Sequence, residues 1–142
     1  MKPTKTNQLL VWRDSVSAGD DCDAPHELVL PLRDESLRSF ASRLLGESYL
    51  ASIASGRATW ILQTDRQAGR SLAVVAQQWS QPRFLVDPES PVSSYIQRDS
   101  TPHLYFRYWC QVDPERVARC LQHGEPLPDK YGRDDTNETP NQ

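Results

Sequence analysis

The sequence predicts an α+β fold, a mostly antiparallel sheet of five to six strands with two main helices packed on one face. Three observations carry this. Segments rich in β-branched, aliphatic and aromatic residues come in runs joined by short polar links, which marks hairpins and not alternating β-α units. Two segments carry apolar residues at helical spacing. Both of those segments are bounded by residues that cap helices.

Gln8–Trp12 is a short apolar run that reads as a strand, and Glu27–Leu32 reads as a second. Pro31 lies near the exit of the second strand, where a missing backbone donor costs least. The loop between the two permits an antiparallel pair. Asp34–Leu45 predicts the first helix, because Leu37, Phe40, Ala41, Leu44 and Leu45 form one apolar stripe. Asp34 is placed to cap its start, and Gly46 suits a left-handed end. Tyr49, Leu50 and Ile53 are spaced for one more turn before Gly56.

Ala58–Gln63 and Ser71–Trp79 are rich in strand formers, and the polar link 64–70 with its late Gly69 makes them a hairpin. Arg83–Asp87 is a further short strand, closed by Pro82 and Pro88, and 87–91 is a turn cluster. His103–Gln111 alternates. Leu104, Phe106, Tyr108 and Cys110 fall on one face, and Tyr105, Arg107, Trp109 and Gln111 on the other. The second helix has Asp113 as N-cap, Pro114 at N1, Glu115 in the first turn and Gly124 as its stop. Val112 and Val117 are placed as a hydrophobic staple, and Val117, Cys120 and Leu121 as the buried stripe.

A chain of 142 residues with 37% apolar side chains and a mean hydropathy of −0.66 suits a single domain. At that length about 68–70% of the unfolded surface can be buried. Residues 1–7 and 129–142 are polar, so a flexible N-terminus and a disordered tail are expected to flank one domain over 8–128. No run approaches the roughly 20 apolar residues of a membrane span, and the start lacks the apolar core of a signal peptide. A cytoplasmic protein with no membrane partner is the expectation. Cys22, Cys110 and Cys120 are odd in number and far apart, as free thiols of a reducing compartment are.

Charge is distributed unevenly. The stretch 14–31 holds Asp14, Asp20, Asp21, Asp23 and Glu27 with no Lys or Arg, a formal charge of −5 in a chain of net −3. Three readings are open. The carboxylates can meet a basic partner. They are also hard oxygen ligands of the kind Mg²⁺ or Ca²⁺ takes, although Gly19 precedes the acids and the EF-hand order is absent. Or they hold a solvated turn through Asx hydrogen bonds.

Other chemistry has less support. Cys22 and His26 are four apart, without the close cysteine pairs of a zinc site. Ser15 and Ser17 lie near His26 and the Asp residues in sequence, but no G-x-S-x-G elbow is present. No P-loop and no G-x-G-x-x-G occur, so no nucleotide cofactor is implied. Tyr105, Arg107 and Trp109 share a strand face and form a candidate stacking platform for RNA, opposed by the net negative charge and by the absence of an RNP1 pattern.

A small acidic α+β chain of this kind resembles the bacterial immunity proteins, the cognate inhibitors of polymorphic or contact-dependent growth inhibition toxins. The resemblance is carried by Trp12–His26 and Leu104–Glu115 and spans about 8–133. It implies a protein that binds one toxin domain and blocks its active site or an essential surface. If that toxin is a nuclease, the anionic loop can stand in for phosphate. The sequence thus leads to a non-enzymatic binding protein with no catalytic residues, metal or cofactor. Its partner is a basic protein and not a nucleic acid, and Asp14, Asp20, Asp21, Asp23 and Glu27 form the contact. A small metal-dependent enzyme using the same carboxylates is the first alternative, and an RNA-binding module on 103–111 the second.

Overall fold

The computed structural model describes residues 8–14, 27–46, 50, 56–65, 69–96 and 102–129. Asp20, Asp21, Asp23, Cys22, His26, Ser15 and Ser17 lie outside that set, as do residues 1–7, most of the tail expected from 129 onward, and Tyr49 and Ile53 of the extra helical turn.

Six strands form one sheet: β1 (Gln8–Arg13), β2 (Glu27–Pro31), β3 (Thr59–Gln63), β4 (Ser71–Ala76), β5 (Arg83–Phe84) and β6 (His103–Tyr108). Helix α1 (Leu37–Gly46) follows β2, a 3-10 turn spans Val92–Tyr95, and helix α2 (Pro114–His123) follows β6. The strand order is β2-β1-β6-β3-β4-β5. All neighbours are antiparallel except β1 and β6. The α+β class with a mostly antiparallel sheet and two helices is therefore the observed fold.

The helices do not share a face, which corrects the expected two-layer arrangement. Leu37, Phe40 and Leu44 of α1 pack with Trp60, Leu62, Leu72 and Val75 in one core. Val117 and Ala118 of α2 pack with Ile61 and Val74 in a second. Trp60 and Ile61 are consecutive strand residues, so they point to opposite sides. The sheet centre is covered twice, and every residue of β3 is buried. The apolar runs Trp60–Leu62 and Leu72–Ala76 do not alternate, which is what a strand covered on both faces requires.

Local chemistry explains each element. Ser36, not Asp34, caps α1: its Oγ accepts from the Ser39 amide at 3.1 Å. The amides of Leu37 and Arg38 then donate to the carbonyls of Ser90 (3.0 Å) and Pro88 (2.9 Å), so the 87–91 turn satisfies the free donors of the helix start. Asp87 shapes that turn by accepting from the Glu89 amide at 3.0 Å and the Ser90 hydroxyl at 3.1 Å. Gly46 is itself helical and is not among the glycines with positive φ, so it does not take the expected left-handed conformation. The second helix follows its sequence closely. Asp113 accepts from the Glu115 amide at 3.1 Å, Pro114 opens the helix, and Gly124 closes it at φ 68°. Ala118 takes a buried place expected of Cys120, which is half-buried. A methyl side chain lets the helix approach β4 closely.

Two strands are shorter than their sequences indicate. Pairing of β5 stops at Phe84, where the chain bends toward the Asp87 turn. The last strand stops at Tyr108 because Cys110 adopts φ 56° and turns the chain toward the second face. In the β3–β4 connection, a Cβ on Gly69 would lie 2.2 Å from the Asp65 amide nitrogen and 2.6 Å from Thr64 Oγ1. Only glycine fits there.

Candidate functional site

The backbone of β1 determines which groups the sheet edge presents. The amides of Leu10 and Asp14 donate to the carbonyls of Pro102 and Phe106, both at 3.0 Å, on the β6 side. Backbone groups alternate along a strand, so Leu9 and Val11 turn theirs toward β2. The register pairs Leu9 with Leu30 and Val11 with Leu28. Leu28 and Leu30 thus bond inward, and Glu27, Val29 and Pro31 direct their backbone groups to the outer edge. Pro31 occupies an outward position, where its missing N–H removes nothing from the ladder.

Side chains sort the same hairpin into two faces. Leu9, Val11, Leu28 and Leu30 join the core beneath α1. Leu10, Trp12, Glu27, Val29 and Pro31 share the opposite face through the pairs Leu10–Val29 and Trp12–Glu27. Trp12 is 38% and Val29 57% exposed, and they are the large exposed hydrophobic residues among those described. They are diagonal neighbours across the strand pair, within reach of one continuous contact. Glu27 is exposed beside them at the start of β2.

Asp14 is placed differently from Glu27. It is half-buried at the end of β1, and its carboxylate spans to β6. The Tyr105 hydroxyl donates to Oδ1, and the Tyr108 amide donates to Oδ2 at 2.9 Å. Both oxygens serve the fold, so Asp14 is an anchor behind the surface that Glu27 edges. Arg13 is buried, at 2% exposure, and its Nη1 donates to the Asp14 carbonyl at 3.0 Å. The positive charge beside the acidic stretch is therefore turned inward. Sequence reasoning treated Asp14 as one acid among five. The sequence offers only its place directly after a strand; the partners come from the parallel pairing of β1 with β6.

The residues expected to stack on RNA do not present their rings. Tyr105 is 4% and Trp109 8% exposed. Trp109 Nε1 donates to the Pro128 carbonyl at 2.8 Å, and the Arg107 guanidinium lies 4.7 Å from the Trp109 ring centroid. A stacking platform needs open ring faces, and these two rings are packed. His103 is tied to Asp65, with Nε2 3.0 Å from Oδ1, which fastens the start of β6 to the β3–β4 connection. His123 is exposed in the last turn of α2, where it complements the helix dipole.

Among the described residues no group of three or more His, Cys, Asp or Glu side chains is arranged to hold a metal ion. No helix of the described residues is long and apolar enough to cross a membrane. At the far edge of the sheet, a groove of about 410 Å³ lies between α1 and residues 80–84. Arg38 on its wall is held by Glu89 at 2.7 Å and stacks 5.5 Å from the Phe84 ring centroid. Among the described residues that line it there is no paired acid and base and no nucleophile set against a base. Comparison with protein-family models, with curated proteins and with solved structures finds no match for this chain.

Proposed function

We propose that this chain is a non-enzymatic binding protein that captures a basic protein partner on its first hairpin, the task of an immunity protein that neutralises a cognate toxin domain. One observation carries the reading: Trp12 and Val29 lie together on one face of the β1–β2 pair, beside Glu27 and at the open edge of the sheet. Exposed apolar side chains rimmed by charge are the anatomy of a recognition surface. Trp12 supplies the aromatic anchor. The five carboxylates of 14–31 supply the field that steers a cationic partner toward it. Asp20, Asp21, Asp23 and Glu27 act in contact or at its rim, and Asp14 holds the strand end from behind.

The test takes as partner the protein encoded next to this chain's gene, which this reading requires to be a toxin domain with a basic surface. Replacing Asp20, Asp21 and Asp23 by Lys lowers the association rate about tenfold or more at low salt. Trp12→Ala weakens binding by about 2 kcal/mol, the scale of a central aromatic contact. Surface plasmon resonance reads both. Unchanged affinity and unchanged association rate in both variants remove this surface from the interaction.

A further inference from the structure

We infer that the outer edge of β2 receives an antiparallel strand from the cationic partner, with an apolar side chain against Val29 and a Lys or Arg two residues later against Glu27. The inference rests on the binding reading above and specifies how the partner is held. Glu27 and Val29 direct both an N–H and a C=O outward, and Pro31 adds a C=O, by the alternation that turns Leu28 and Leu30 toward β1. An edge with free donors and acceptors is a template for a further strand. Val29 is the central outward residue, so the incoming residue that exchanges both hydrogen bonds with it places its side chain against Val29, on the face that also carries Trp12.

Register then dictates chemistry. In antiparallel pairing the residue two positions on from the Val29 partner lies opposite Glu27, and opposite charges stabilise such a pair. The residues flanking the Val29 partner meet Leu28 and Leu30, which are partly buried against the first core, so apolar side chains extend that core. The partner segment reads apolar-apolar-apolar-cation. A second copy of this chain fits less well. A two-fold pairing about Val29 sets Glu27 against Pro31 and gives the carboxylate no cation. It also joins two hairpins whose 14–31 stretches each carry −5.

The probe is the capped peptide acetyl-Thr-Val-Val-Val-Lys-Thr-Lys-amide, titrated into the full chain by calorimetry and by ¹H–¹⁵N spectra. Binding that shifts the Glu27 and Val29 amides is expected. Affinity falls about tenfold or more when the middle Val is N-methylated, which removes its donor to the Val29 carbonyl. The same loss is expected when the first Lys becomes Glu, and Glu27→Lys restores the Glu peptide. Val29→Pro also abolishes binding while keeping the ladder to β1, because the Val29 N–H faces outward. If that variant fails to fold in a thermal melt, the N-methylated peptide on the unaltered chain decides alone.

Absence of peptide binding, or binding indifferent to N-methylation, overturns strand addition. So does self-association in sedimentation that Val29→Pro removes. The two readings fail separately. Toxin-domain binding that depends on Trp12 but not on Val29→Pro sinks strand addition and leaves the binding protein. Peptide addition at β2 with toxin-domain binding indifferent to Trp12→Ala and to the Asp reversals sinks the function proposed for this surface and leaves the edge.

Discussion

At the scale of single residues, Asp14 decides how β1 ends. Its two oxygens take one side-chain and one backbone donor from β6, so the carboxylate joins two strands that are far apart in sequence. Leaving buried donors without an acceptor costs about 1–3 kcal/mol. Asp14→Ala is expected to lose stability on that scale, and Tyr105→Phe about 1 kcal/mol for its hydroxyl bond. The double variant loses less than the sum, because both single changes break the same bond. Urea unfolding of the four proteins measures the coupling, and additive losses would mean that the hydroxyl bond contributes nothing. Asp14→Asn is expected to cost less than Asp14→Ala, since its carbonyl oxygen still accepts from the Tyr108 amide and its Nδ2 can donate to the Tyr105 hydroxyl once that hydroxyl turns to accept. The sequence showed an acid at this position, but its partners depend on parallel pairing of β1 with β6, which no local signal encodes.

At the scale of elements, the most legible segment was α2. Asp113, Pro114 and Gly124 act locally, through bonds within a few residues, and all three do what their types dictate. Asp113→Ala is expected to cost about 1 kcal/mol. Gly124→Ala costs a similar amount, about 1 kcal/mol, because its φ of 68° strains any residue with a Cβ. Gly69→Ala is expected to be worse than either. The added methyl meets backbone at 2.2 Å, and neither the Asp65 amide nor the β3–β4 turn can move without breaking the bond from the Thr64 amide to the Arg70 carbonyl at 3.0 Å. A midpoint for Gly69→Ala equal to that of Gly124→Ala would contradict this ranking. The first helix was less legible at its ends. Ser36 and Asp34 are both good caps by type, and what selects Ser36 is the 87–91 turn, about fifty residues away, whose carbonyls reach the next two amides.

At the scale of the whole molecule, the sheet has a double-covered centre and a single-covered flank. β3 and β4 are sealed by α1 on one side and α2 on the other, whereas the outer face of β1 and β2 leaves Trp12 and Val29 in solvent. Hydrogen exchange is expected to follow that division. The amides of Ile61, Leu62, Val74 and Val75 exchange only on global unfolding, and the outward amides of Glu27 and Val29 exchange far faster. Protection of Val29 equal to that of Ile61 would show that the edge is already occupied. Overpacking at the second interface gives an independent check. Ala118→Leu adds volume where α2 meets β4 and is expected to destabilise by about 1–3 kcal/mol, with binding at the opposite end of the sheet unchanged. The electrostatic part of recognition belongs to this scale too. Raising ionic strength from about 0.01 to 0.15 M shortens the screening length from about 30 to 8 Å, so the association rate is expected to fall with salt while the dissociation rate changes little.

The sequence by itself determined the class, the two main helices, the hairpin of β3 and β4, the caps of α2 and the concentration of charge between Asp14 and Pro31, and it narrowed the strands to five or six. These rest on periodicity and on contacts between near neighbours, which a linear pattern encodes. The tertiary structure alone decided that β1 runs parallel to β6 between β2 and β3, that the two helices lie on opposite faces, that Tyr105 and Trp109 are buried, and that Asp14 points inward. Each of these depends on which strands become neighbours, and that is set by the joint burial of β3 and β4 under both helices. Among the described residues, the same arrangement leaves β2 at the edge of the sheet with Val29 exposed on the same face as Trp12, because both helices are committed to β3 and β4.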